Sequence, residues 1–263
     1  MKLTLTHGFA ALAVASLLLG AADTASAQAA SMAGCSDDLR HNATREQAEF
    51  VSDGRTIRGL LYKPRTSNGA AVVLLHGFRG LSADAPMFDP HAIQLATRGY
   101  TVLVPNYFDS RPYRDRRNGL DMRTWAKTAT NAVQYAGTLE GVNPQKVAVW
   151  GFSLGGFLAT DASVAPESSA AMAIGVGAGT GIWAEMTRER REIPILMIHG
   201  RADPVVTPSS MRALAADLRR RGATVDVELI DANEHVLEGP IWCDVFQMSR
   251  RFLDAHLLAA PAG

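Results

Sequence analysis

The chain has 263 residues, with 26 basic and 26 acidic side chains, and therefore no net charge at neutral pH. A balanced chain that is 47% hydrophobic and 20% charged has the composition of a globular protein. Its two basic clusters, Arg111, Arg114, Arg116 and Arg117, then Arg188, Arg190 and Arg191, are interrupted by Asp and Glu, so they read as solvated loops and nothing argues for nucleic acid as a partner.

The N-terminus reads as a targeting segment. Lys2 supplies a positive start, an apolar stretch runs from Phe9 to Leu19, and Ala25-Ser26-Ala27 offers a small-residue cleavage site before Gln28. The apolar run is too short to span a bilayer, which predicts a signal peptide over residues 1–27, a secreted or periplasmic product and no stable membrane insertion. Residues 28–45 are polar and are expected to form a flexible lead-in, followed by a single domain over 46–263. Cys35 and Cys243 are the two cysteines. Export to an oxidising compartment favours a disulfide that ties the mature N-terminus to the C-terminal helix. Two free thiols remain open as a reading, as does a lipoprotein-type box at Met32-Ala33-Gly34-Cys35, although polar and small residues separate that box from the apolar run.

A hairpin is predicted from Ala48–Ser52 and Thr56–Lys63, joined by the turn dipeptide Asp53-Gly54. Ala71–Leu75 is wholly apolar, as a central parallel strand buried on both faces requires, and it ends in His76-Gly77-Phe78. A helix is expected over Pro86–Arg98 and a strand over Tyr100–Val104. Trp125, Ala129, Ala132, Val133 and Ala136 then share one face of a helix over 121–138. Strand Lys146–Trp150 leads into a helix over Ser153–Ser163. Strands follow at Ala170–Val176 and Pro194–Ile198, then a helix over Pro208–Arg220 stopped by Gly222, a strand over Thr224–Ile230 and a final helix over Gly239–Leu257. This alternation predicts an α/β fold with a mostly parallel sheet of about eight strands and helices on both faces.

Residues 151–155 read Gly-Phe-Ser-Leu-Gly at a strand end. A sharp strand-to-helix turn there lifts the Ser153 hydroxyl clear of the sheet, and small flanking residues let the backbone bend that tightly. Asp203 follows the apolar run ending in Ile198-His199-Gly200, and His235 follows Val227–Ile230. The order Ser153, Asp203, His235 fits a nucleophile, an orienting acid and a base, each just past the carboxyl end of a strand. His76 and His199 lie in His-Gly turns and read as structural. His91 and His256 lie on helices, and Asp231 is too close in sequence to His235 to occupy a different strand end. No metal-ligand spacing or phosphate loop appears, so neither metal nor cofactor is expected. Gly175–Gly179 lacks the helix start and acidic residue of a dinucleotide site.

The segments His76-Gly77-Phe78, Pro105–Arg111, Gly151–Gly156 and His199–Pro204, with His235, resemble the α/β-hydrolase superfamily and, within it, the dienelactone hydrolase family. The resemblance implies the α/β-hydrolase fold and an oxyanion hole formed by the N–H groups of Leu154 and Phe78. The family proper carries cysteine where this chain has Ser153, which shifts the expectation from dienelactone chemistry to a secreted serine esterase working through an acyl-enzyme. Arg111 matches one of the arginines with which the family holds a substrate carboxylate. The stretch Val236-Leu237-Glu238-Gly239-Pro240 offers no match to the second. The interval between Val176 and Pro194 is too short for a large lid, so the site is expected to be open, rimmed by Phe78, Tyr107, Arg111 and Trp183 and suited to small or extended esters. A peptidase or acyltransferase using the same triad, and a catalytically silent binding protein, are the alternatives.

Overall fold

A computed structural model describes residues 35–113, 119–180 and 191–259. The expected signal segment and Trp183 lie outside the described residues.

The chain enters the fold through a hairpin of β1 (Ala43–Ser52) and β2 (Arg55–Pro64). Its two-residue loop has positive φ at both Asp53 (47°) and Gly54 (75°), the backbone twist that a tight hairpin demands. β1 begins at Ala43, five residues before the expected Ala48, because backbone pairing runs unbroken from Ala43 opposite Pro64 to Ser52 opposite Arg55. The added residues, Ala43 and four polar ones, are partly or fully exposed, so no alternation marks them as strand. Of the expected lead-in over 28–45, residues 43–45 are paired in β1. Residues 35–42 are pinned by side chains: Cys35 is bonded to Cys243 with Cα atoms 5.4 Å apart. Gln94 brackets Leu39, accepting its N–H at 2.9 Å and donating to its carbonyl at 2.8 Å.

The remaining strands are β3 (Ala71–Leu75), β4 (Thr101–Pro105), β5 (Val147–Phe152), β6 (Met172–Val176), β7 (Pro194–Gly200) and β8 (Thr224–Ile230). The eight lie in the order β1-β2-β4-β3-β5-β6-β7-β8. β2 runs antiparallel to both its neighbours, and every pairing from β4 to β8 is parallel. β3 to β6 are buried at every position, which explains why they read as unbroken apolar runs.

Successive residues of these strands feed opposite layers: Ala71, Val73 and Leu75 pack on one side, Val72 and Leu74 on the other. The first layer is closed by α2 (Gly119–Ala136), α3 (Leu154–Ser163) and α4 (Pro208–Arg220), the second by α1 (Leu81–Thr97) and α5 (Gly239–Leu253). α5 ends in a wider π-type turn, Asp254–Leu258. α1 begins five residues earlier than the expected Pro86, so Pro86 and Pro90 both lie inside it. Each proline removes one ladder donor, and the sequence rule places proline in the first turn. The extra first turn is held instead by tertiary contacts of the buried Asp84.

Strand order departs in opposite directions from β3 and β5 (β4 on one side, β6 on the other), and the crevice at their carboxyl ends is where an open α/β sheet accepts a ligand.

Candidate active site

Ser153 is the one residue between β5 and α3, and its backbone is strained, with φ 54° and ψ −117°. A non-glycine residue held this way costs about 1–3 kcal/mol and persists only where its surroundings over-determine it. The Ser153 N–H donates to the Val176 carbonyl on β6 at 2.8 Å, while its own carbonyl accepts from Phe157 at 3.0 Å. The two glycines of the motif are needed for space. A Cβ on Gly151 would run into the Gly155 carbonyl, and one on Gly155 would run into the carbonyls of Leu75 and His76. The strand ends and the helix therefore approach at backbone-to-backbone distance.

The loops after β7 and β8 bring the other two residues to this turn. His235 Nε2 lies 2.7 Å from Ser153 Oγ, and His235 Nδ1 lies 2.7 Å from Asp203 Oδ2. The other carboxylate oxygen of Asp203 accepts the N–H groups of Val205 and Val206, both at 2.9 Å. Burial would raise the Asp203 pKa, but the hydrogen bonds from His235, Val206 and Val205 outweigh it and hold the group below the usual carboxylate value. The ring of Phe152 stacks on His235 at 5.3 Å and fixes its plane from below.

The other histidines make different contacts. His76 Nδ1 lies 2.8 Å from the Gly77 carbonyl, and burial pushes its pKa down to about 4. His199 Nε2 lies 2.8 Å from the Val206 carbonyl and 3.8 Å from Asp203, and burial lowers its pKa too. His91 stacks on Phe246 and His256 lies against Phe252.

Leu154 is the first residue of α3, so its N–H has no intrahelical acceptor. The Phe78 N–H lies in the loop between β3 and α1 and finds no acceptor among the described residues. The Phe78 side chain is 49% exposed.

The expected rim needs correction. Tyr107 is fully buried: it stacks on His76 at 4.0 Å and donates its hydroxyl to the His76 carbonyl at 2.8 Å, so it supports the β3 loop from beneath instead of facing substrate. A short 3₁₀ turn, Tyr107–Asp109, directs it inward. Arg111 pairs with the buried Asp121 on α2, and its carbonyl accepts the Trp125 indole N–H at 2.8 Å. The pairing is made through Nε, and the side chain remains 40% exposed. Trp183 falls outside the described residues.

Sequence reasoning missed Asp84. Its carboxylate is buried in the first turn of α1, accepts the Gly77 N–H at 2.6 Å and pairs with Arg79 at 2.8 Å. A carboxylate six residues past the His-Gly-Phe segment is the visible signal, and an expected helix start at Pro86 leaves it in the loop.

The profile of the dienelactone hydrolase family matches residues 57–237. Among curated proteins, the chain is 31% identical over 135 residues to polyketide transferase ATR5 of Stachybotrys chlorohalonatus, covering 49% of this chain and 43% of that protein. It is 29% identical over 126 residues to thiohydrolase aneE of Aspergillus aculeatus, covering 46% and 37%. The matched region is thus less than half of these relatives' length. Among solved structures it resembles esterase Est2 of Thermogutta terrifontis, with TM-score 0.63, 20% identity and coverage of 83% of this chain and 94% of that one. An acylaminoacyl peptidase of Pyrococcus horikoshii gives TM-score 0.63 at 13% identity, covering 84% and 43%. At these identities the structural likenesses concern the fold.

Proposed function

The chain belongs to the dienelactone hydrolase family, and from that premise we propose that it is a serine hydrolase that cleaves carboxylic esters through an acyl-enzyme. One observation carries the reading: the hydrogen-bonded relay from Ser153 to His235 to Asp203, each link 2.7 Å. A serine hydroxyl is a weak nucleophile until a base within hydrogen-bond reach accepts its proton. His235 takes that proton as Ser153 Oγ attacks the ester carbonyl, then delivers it to the leaving alcohol. Asp203 selects the tautomer with the proton on Nδ1 and stabilises the imidazolium. The negative oxygen of the tetrahedral intermediate is held by the N–H groups of Leu154 and Phe78, a donor of this kind contributing about 3 kcal/mol at the transition state. Water then repeats the sequence on the acyl-enzyme and frees the acid.

The test is a panel of p-nitrophenyl esters of graded chain length, run beside peptide substrates, with Ser153→Ala as control. The expected result is turnover of esters, covalent labelling of Ser153 by an organophosphate, and loss of at least about 10⁴-fold in kcat in the alanine variant. A folded Ser153→Ala protein with full esterase activity overturns the proposal.

Acyl transfer to an acceptor other than water is the second reading, supported by a relative named as a polyketide transferase. Adding an alcohol or thiol acceptor to the ester assay separates the two, since a transferase partitions the acyl group to the acceptor in preference to water. We further propose that the protein acts outside the cytoplasm. The signal-like first 27 residues and the Cys35–Cys243 bond support this, and no helix among the described residues is long and apolar enough to cross a membrane.

A further inference from the structure

We infer that Asp84 is a positioning residue for the oxyanion hole: its buried carboxylate grips the residues on both sides of Phe78 and thereby aims the Phe78 N–H at the reacting carbonyl oxygen. The inference rests on the serine-hydrolase reading above and adds to it a residue outside the triad.

The loop from β3 to α1 is closed on itself by Asp84. Oδ2 accepts the N–H of Gly77 at 2.6 Å, and Oδ1 accepts the Arg79 Nε–H at 3.0 Å and a second guanidinium nitrogen at 2.8 Å. The Gly77 carbonyl accepts the N–H of Gly80, and the Gly80 carbonyl accepts the N–H groups of Ala83 and Asp84. The path from the Asp84 side chain to Gly77, to Gly80 and back to the Asp84 backbone is therefore a closed ring, and Phe78 lies inside it. A Cβ on Gly77 would come within 3.0 Å of Asp84 Oδ2, so the loop packs closely against the carboxylate.

Two features single this arrangement out from an ordinary turn. The first is cost. Asp84 is fully buried while Arg79 is 38% exposed. A buried carboxylate with one half-exposed partner is an expensive way to close a loop, because desolvation of a charge is repaid only by well-placed donors. The second is the split behaviour of Phe78, whose side chain is half-exposed while both flanking residues are clamped. That is the pattern expected where the backbone N–H, not the side chain, carries the function. Arg79 has its own part, since it offsets the charge of a carboxylate that would otherwise oppose a developing oxyanion nearby.

The test compares Asp84→Ala, Asp84→Asn and Arg79→Ala with the unaltered protein on one small p-nitrophenyl ester. Misplacing a reacting or stabilising group by about 1 Å costs about 10²-fold in rate. Asp84→Ala is therefore expected to lower kcat by about that factor with KM within about 3-fold, since the hole is filled only in the transition state. Asp84→Asn keeps an acceptor for Gly77 and is expected to recover part of the loss. Affinity for a trifluoromethyl ketone, whose tetrahedral adduct places an oxyanion in the hole, should fall in parallel with kcat, while the pH profile of kcat/KM stays in place. A folded Asp84→Ala protein with unchanged kcat overturns the inference, and so does a loss of kcat that leaves ketone affinity untouched or moves the pH profile. If Asp84→Ala does not fold, Asp84→Asn and Arg79→Ala decide by the same readouts, and wild-type kcat in both overturns it. Failure here leaves the Ser153→Ala result intact, whereas persistence of activity in Ser153→Ala would remove the serine-hydrolase reading itself.

Discussion

Two non-glycine residues among those described have positive φ: Asp53, in the hairpin turn, and Ser153. The first is ordinary turn chemistry. The second is strain at the end of a fully buried strand, and it sets the hydroxyl 2.7 Å from His235. Asp203 completes the residue-scale picture and supports a prediction with a definite sign. Its folded-state pKa is lowered from the usual value of 3.8, mostly against the effect of burial, by its hydrogen bonds to His235, Val206 and Val205. A carboxylate with a depressed folded pKa adds stability that is present above its unfolded pKa and lost as pH falls below 3.8 through the folded value. Asp203→Asn should flatten that part of the curve of unfolding free energy against pH, measured by urea titration between pH 2 and pH 6. The same variant should lose about 10⁴-fold in kcat, because the amide cannot hold the required tautomer. Wild-type steepness in acid would show that this carboxylate is not the linked group. Tyr107 illustrates what is not legible at this scale: an aromatic past a strand end reads as rim, and only the inward 3₁₀ turn shows that it lies beneath His76.

At the scale of elements, β5, the Ser153 turn and α3 act as one unit whose spacing is set by missing side chains. Gly155→Ala places a Cβ against the carbonyls of both Leu75 and His76, backbone atoms that cannot move aside. The variant is expected to lose about 3 kcal/mol or more in denaturant unfolding, the upper end of overpacking costs. It should also lose activity out of proportion to KM, because α3 would be pushed off β3 and would carry the Leu154 N–H with it. A stability within about 0.5 kcal/mol of the parent protein, the range of a typical surface substitution, would contradict this close approach. α1 shows the opposite case. Its first turn exists despite Pro86 and Pro90, because Asp84 is captured by Gly77 and Arg79. Local rules placed the start at a proline, and a contact across the β3 loop moved it.

Across the whole molecule, the disulfide links the beginning of the described chain to α5, a sequence separation of 208. Cys243 follows Trp242, whose ring lies 5.2 Å from Phe152, which in turn lies 5.3 Å from His235. The covalent tether thus secures the helix that backs the aromatic wall behind the histidine. Closing so long a loop restricts the unfolded chain strongly, and replacing both cysteines by alanine is expected to lower stability by about 2–5 kcal/mol. The loss should appear as a lower Tm and faster proteolysis within residues 35–42, while hydrolysis of a small ester at 25 °C persists, the triad being held by the sheet. An unchanged Tm would show that the contacts of Leu39 with Gln94 and of Asp37 with Arg98 and Arg250 suffice without the bond.

The sequence by itself determined the layer architecture and the three residues that meet at the site. Buried parallel strands must be apolar throughout, and a strand-to-helix turn this tight must be flanked by glycine, so both requirements are written locally. Only the tertiary structure decided which polar and aromatic residues serve the site from behind. The burial of Tyr107, the engagement of Arg111 by Asp121, the early start of α1 and the grip of Asp84 on the loop around Phe78 are contacts between separate elements. Their partners are chosen by how the layers close, which no local pattern of residues specifies.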